Sequence, residues 1–497
     1  GYDISDYTNI NPEYGTIQDF DMLVTEMHKR DLKIIMDLVV NHTSDKHKWF
    51  VESKKSKDNP YRDYYYWRDG KGKDGKRPPN NWTSFFLGKA WKYDPTTKQW
   101  YLHLFDQNQP DLNFFNPKVM QEVKDVLKFW CEKGVDGFRC DVITLLSKTE
   151  GLPNGKPNVA LVGKEYYMDG PRMKDILQEF QDDVLSKYDA FTVGESVMIT
   201  VPKALQYIDE KRPLLNTVFA FDHESADNYF GIKQFVRKFN IKILKTALRT
   251  WQQGLYGKAW NATYFENHDQ ARIVGRYCSD KVHRIEGAKM MASILLTLSG
   301  TPFIYEGQEI GSTSIRMPNI DTYQDVESKR SYVTARKIFG KRGAMKRIAY
   351  SSRDNARTPV QWNNTLNAGF SSAEKTWLPV NPNYVTVNIE NDLKNENSVL
   401  NYYKSLIALR KVHKQMIYGT YTDYYVNSKA LLVYKREYEG KKLLIVNNFS
   451  LKDIKFNVPK ELLADKYTLL TSNYASVTPT LCDKTLSPYE SSIYIAE

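Results

Sequence analysis

One unit recurs along most of this chain. A short β-branched strand closes on a polar residue and is followed by a helical stretch, from Leu32 to about Ile310. The strands end near Asp37, Asp141, Glu195, Asp222, His268 and Glu306. Four of the ends are Asp37-Leu-Val-Val-Asn-His42, Gly137-Phe-Arg139-Cys-Asp141, Val193-Gly-Glu195 and Phe265-Glu-Asn-His268-Asp269. Parallel strands joined by helices gather such side chains at one mouth of a (β/α) barrel. The expected fold class is therefore α/β, a (β/α)8 TIM barrel.

Closure takes eight strands, and six are legible. The first element, Ile17 to Lys29, is already a helix leading into the Asp37 strand. The chain is thus expected to lack its first two βα units, roughly 60 residues on the eight-strand requirement. With edges left unpaired, it is expected to be unstable or inactive alone. Asn116 to Trp130, with Pro117 in its first turn, reads as an amphipathic helix, and so does His283 to Leu298 before the stop at Gly300. The βα rhythm breaks over 43–113, a Trp- and Tyr-rich insertion after barrel strand 3 that is expected to form a lid. From 417 the pattern becomes short alternating strands. The expected domains are a barrel over 1–42 and 114–416, the lid over 43–113, and a C-terminal antiparallel β-sandwich over 417–497.

Composition narrows the function classes. The formal charge of +11 suggests a nucleic-acid or anionic partner, but Lys and Arg are interspersed with Asp and Glu and no nucleic-acid motif accompanies them. No apolar run reaches membrane-spanning length, so neither nucleic acid nor membrane is expected as a partner. Four scattered cysteines fit a reducing, cytoplasmic setting. His42, His268 and the carboxylates match no compact metal motif, so no metal ligand is assigned.

What remains is carboxylate chemistry. Retaining glycoside hydrolysis needs one ionised nucleophile and one proton-donating acid. Asp141 suits the nucleophile, because Arg139, two residues earlier on the strand, shares its face and would hold it ionised. Glu195, longer, suits the acid/base, with burial and Asp141 raising its pKa. Asp269 beside His268 suits transition-state stabilisation. A helix cap or a salt bridge accounts for any one of these acids, but not for the set.

These residues resemble the α-amylase superfamily, glycoside hydrolase family 13, and within it the oligo-1,6-glucosidase, dextran glucosidase and phosphotrehalase branch. Asp37–Asp45, Gly137–Val142, Val193–Ser196 and Glu266–Gln270 match its four signature regions. Gly1–Tyr7, Gln109–Asn113, Gly300–Gly307, Ser352–Pro359 and Trp377–Tyr384 support them. The resemblance implies that Asp141, Glu195 and Asp269 are catalytic, and that Asp37, His42, Arg139 and His268 bind the terminal glucose while Tyr2 stacks on it. It implies an aromatic clamp of Phe86 and Phe105, with Arg353 closing over the sugar and Arg357 as a substitute. No cofactor is implied for the chemistry, and a structural Ca or Mg site would lie in the missing N-terminal segment. The partner implied is a small oligosaccharide.

Val142 after the nucleophile goes with α-1,6 cleavage in this branch, although a good strand residue would also be Val. The implied activity is a retaining exo-α-glucosidase acting on α-1,6 bonds of isomalto-oligosaccharides. Trehalose-6-phosphate hydrolysis is the alternative, with Lys89 and Lys92 as candidate phosphate contacts. A non-catalytic transporter companion is the alternative of another class. Ser196-Val-Met-Ile-Thr200 and Ala271 depart from the usual pattern.

Overall fold

The computed structural model describes residues 1–229 and 231–496. They form two compact units, Gly1–Ala220 and Phe221–Glu497.

The first unit is organised by a parallel sheet whose strands, Ile35–Leu38, Gly137–Cys140, Phe191–Glu195 and Thr217–Phe219, lie side by side in chain order. Asp37 pairs with Arg139, and Cys140 with Gly194. Paired residues share a face, as do residues two apart on a strand. Asp37, Arg139, Asp141 and Glu195 therefore leave the sheet on the same side. Tight strand approach requires Gly137, where a Cβ would lie 2.1 Å from the Phe191 carbonyl oxygen. Helix Pro117–Glu132 is capped by Asn116, whose side chain accepts from the Lys118 N–H. It buries Val119, Met120, Val123, Val126, Leu127 and Trp130 along one stripe. The Tyr7 hydroxyl pins the exit from the first strand, 2.8 Å from the Val39 carbonyl and 2.9 Å from that of His42.

The stretch between the first two parallel strands contains helix Lys48–Ser53 and a three-stranded antiparallel sheet, Trp67–Asp69, Gln99–Leu102 and Trp91–Asp94 in spatial order. Its aromatic residues are mostly interior. Trp82, Trp91 and Trp100 share one cluster with Val142 and Leu145, just beyond Asp141.

The second unit supplies two more parallel strands, Ala262–Thr263 and Thr301–Pro302. Among the described residues all six expected strands are thus present. Three stop short of their expected ends at Asp222, His268 and Glu306; a 3-10 turn begins at Asp222 and Gly307 bends at φ 82°. Helix Arg284–Thr297 corrects the amphipathic expectation, since every residue from Gly287 to Thr297 is buried. It packs in one cluster with Leu432, Tyr434, Leu443, Ile445 and Ile493 of the terminal sheet, which covers the face that would otherwise meet water.

That terminal sheet is antiparallel. Its strands run Thr420–Tyr424, Leu431–Tyr438, Lys441–Asn448, Ser491–Ala496 and Tyr467–Ser472 in spatial order. Alternation sends Leu431, Val433, Leu444, Val446 and Tyr494 to its other face, against Phe456 and Leu486 of a two-stranded ribbon. The second layer is only that ribbon, and helices cover the first face. Among the described residues no helix is long and apolar enough to cross a membrane.

Candidate active site

Arg139 is the hub of the first unit's polar cluster. Its Nη1 lies 2.5 Å from Asp141 Oδ1 and 2.9 Å from Asp37 Oδ1, and its Nη2 lies 2.7 Å from Glu195 Oε2. The Val142 backbone N–H also donates to Glu195 Oε2, at 3.2 Å. Burial and the neighbouring Glu195 carboxylate push the Asp141 carboxyl well above the usual range against the pull of Arg139.

Tyr2 donates its hydroxyl to Asp37 Oδ2 at 3.1 Å, and the Arg139 guanidinium lies 5.5 Å from its ring. His42 is fully buried, and its Nε2 lies 2.9 Å from the Tyr2 carbonyl oxygen. Burial pulls its pKa down to about 4, so the ring is neutral near pH 7. Phe105 packs against His42 at 5.3 Å, edge-on to Phe86 at 5.7 Å, and stacked on Phe85 at 4.9 Å. Phe85 is thus a member of the aromatic group that the sequence reading missed.

Val142 lies outside any strand, at φ 36° and ψ 42° in the left-handed region, with its side chain buried. A β-branched residue is disfavoured there. Strand propensity therefore does not explain Val at this position.

Beneath His42 lies a network that sequence reading also missed. Lys148 Nζ meets Asp111 Oδ2 at 2.8 Å, and both side chains are fully buried. Lys148 also donates to Asn41 Oδ1 at 2.8 Å, while Asn41 Nδ2 contacts His42 Nδ1 and Asp111 Oδ2 at 3.2 Å each. A lysine closing the apolar run Val142-Ile-Thr-Leu-Leu-Ser-Lys148 was a signal, but its partner is 37 residues away.

In the second unit the centre is Asp269. Its Oδ1 accepts from Arg353 Nη1 at 3.0 Å and from Arg357 Nη2 at 2.9 Å, and His268 Nε2 lies 3.6 Å from Oδ2. Both arginines thus engage it, rather than one replacing the other. Burial opposes its ionisation, but His268, Arg353, Lys233 and Arg357 outweigh burial and hold the carboxyl far below its usual range. Arg353 is itself fixed by Asp325 Oδ1, 2.6 Å from Nη2. Asp325 caps the helix that begins at Val326 by accepting from the Glu327 and Ser328 N–H groups.

Lys89 and Lys92 are exposed. Among the described residues no group of three or more His, Cys, Asp or Glu side chains is placed to hold a metal ion.

Residues 1–419 match the family model "Alpha amylase, catalytic domain". The chain is 47% identical over 500 residues to the oligo-1,6-glucosidase of Parageobacillus thermoglucosidasius, covering 99% of this chain and 88% of that protein. The crystal structure of Bacillus licheniformis trehalose-6-phosphate hydrolase matches with a TM-score of 0.93 and 41% identity, covering 100% of this chain and 89% of that one. Isomaltulose synthase from Klebsiella sp. LX3 matches with a TM-score of 0.94 and 38% identity at the same coverage.

Proposed function

Since the chain belongs to the α-amylase family, glycoside hydrolase family 13, and so has a TIM barrel with a C-terminal antiparallel sheet, we propose that it is a retaining exo-α-glucosidase. It would cleave α-1,6 bonds at the non-reducing end of isomalto-oligosaccharides. The observation that carries the reading is the carboxyl pair Asp141 and Glu195, both clamped by the one guanidinium of Arg139.

In this reading the substrate's anomeric carbon enters between the two carboxyls, which must part to roughly 5–5.5 Å for a double displacement. Glu195 gives its proton to the leaving oxygen, while the Asp141 carboxylate attacks the anomeric carbon. Glu195 then takes a proton from water, which hydrolyses the glucosyl ester. Asp269, kept anionic by its cations, favours the oxocarbenium-like ring through the hydroxyls it holds. Asp37, His42, Arg139, His268 and Arg353 orient that ring, and Tyr2, Phe86 and Phe105 line its apolar faces. Residues 43–113 wall the site, and no cofactor takes part. The strained Val142 backbone sets the linkage preference, because it aims a branched side chain beside the nucleophile.

A second reading, trehalose-6-phosphate hydrolysis, is favoured by the likeness to the Bacillus licheniformis structure over the whole chain. Parallel incubation with isomaltose and trehalose 6-phosphate separates the two. Glucose from isomaltose alone supports the first, and glucose 6-phosphate from the second substrate replaces it.

A further inference from the structure

Glu224 is a buried acid that the chemistry above does not use. It lies in the 3-10 turn Asp222–Asp227, and its carboxylate receives three donors from one short segment of chain. Tyr264 Oη donates to Oε1 at 3.0 Å, Asn267 Nδ2 donates to Oε1 at 3.1 Å, and Gln270 Nε2 donates to Oε2. The middle donor reaches the catalytic side chain's own backbone. Asn267 turns its other amide atom, Oδ1, to the Asp269 N–H at 2.9 Å. A carboxylate on one side of Asn267 therefore sets the amide orientation that grips Asp269 on the other.

We propose that Glu224 is a positioning residue for Asp269, and that its ionisation holds the segment 264–270 in the geometry catalysis requires. Ionised, it is an acceptor only and suits all three donors. Protonated, it presents a hydroxyl where a donor already points, so one of the three contacts is lost.

The surroundings place this switch in a useful range. Burial raises the carboxyl to about 7, against the cations of Arg276 and Lys233 and the Tyr264 hydrogen bond. The charge of Asp269 adds to the rise. Arg276 binds the Glu224 carbonyl at 3.0 Å and spends its charge on Asp227, with 2.8 Å contacts to both carboxylate oxygens. Tyr277 and His223, the other titratable neighbours, stay neutral, since burial raises the phenol and lowers the imidazole to about 3.

The inference rests on the reading of Asp269 as the stabiliser. Its test is the pH dependence of kcat and KM on isomaltose, from pH 5 to 9, for wild type, Glu224→Gln and Tyr264→Phe, each checked for a cooperative melt. The wild type is expected to lose kcat below about pH 7 on an acid limb set by Glu224. Tyr264→Phe removes one donor to the charged form and is expected to move that limb to higher pH with KM within twofold. Glu224→Gln is expected to remove the limb and lower kcat severalfold at pH 8. Should Glu224→Gln not fold, Tyr264→Phe decides alone. An unmoved limb in Tyr264→Phe overturns the inference, even where kcat falls, and leaves the glucosidase reading standing. A wild type that turns over no glucoside at any pH overturns both.

Discussion

Consider Lys148→Met. Lys148 and Asp111 form an ion pair in which both side chains are fully buried. Removing the lysine leaves a carboxylate without its cation, a change that costs about 3–5 kcal/mol in buried pairs. Asp111 keeps the Leu104 N–H at 2.8 Å and Asn41 Nδ2 at 3.2 Å, which places the loss near the lower end. Asn41 Oδ1 loses its 2.8 Å donor as well, adding about 1 kcal/mol. The sum is about 4 kcal/mol. The unit Gly1–Ala220 is in the size class where each kcal/mol shifts Tm by about 2–4 °C, so the melt should fall by about 8–16 °C. Calorimetry or near-UV circular dichroism reads this directly. Lys148→Met with Asp111→Asn removes both charges and should recover at least half of the loss, because no buried charge is then left alone. A single variant that melts within 2 °C of wild type would refute the reasoning. So would a double variant no better than the single one.

Three further outcomes are expected. Val142→Ala should lower the ratio of kcat/KM for isomaltose over maltose by about tenfold, the scale of a few methyl contacts, and an unchanged ratio removes Val142 from linkage choice. Because Arg353 and Arg357 share one oxygen of Asp269, each single Ala variant should lose about threefold or less in kcat and the double variant about a hundredfold, well beyond the product of the single losses, while strictly multiplicative losses would argue that they act separately. His42 has a folded pKa near 4 against an unfolded value near 6.5, so the fold binds fewer protons between those limits and stability falls as pH drops through them. The loss at pH 4 is about 3 kcal/mol from this group, and urea midpoints for wild type and His42→Gln should converge as pH falls from 8 to 4.

The sequence made the scaffold legible because strand ends carry the chemistry. A β-branched run closing on Asp, Arg, Glu or His is a local signal, and it located six strands and the three candidate carboxylates. What escaped is non-local. Lys148 and Glu224 sit in the sequence as ordinary charged residues, and only folding brings their partners from 37 and 40–46 residues away. Helix Arg284–Thr297 reads as amphipathic, but its second face is claimed by a sheet that begins more than a hundred residues later. In the terminal domain the strands Thr420–Tyr424, Ile454–Phe456 and Lys484–Leu486 are the hardest to read, because Asp423, Lys455 and Lys484 dilute their short apolar patterns. Val142 was readable as a residue but not as a backbone conformation, since no local pattern announces a left-handed valine.

The central claim is a double displacement in which Asp141 forms the glycosyl ester. Time-resolved proton NMR of isomaltose hydrolysis reads its stereochemistry in the first minutes, before mutarotation. The account predicts that glucose is released first as the α-anomer, with Asp141→Asn releasing none. Release of the β-anomer first, or wild-type rates from Asp141→Asn, would contradict it.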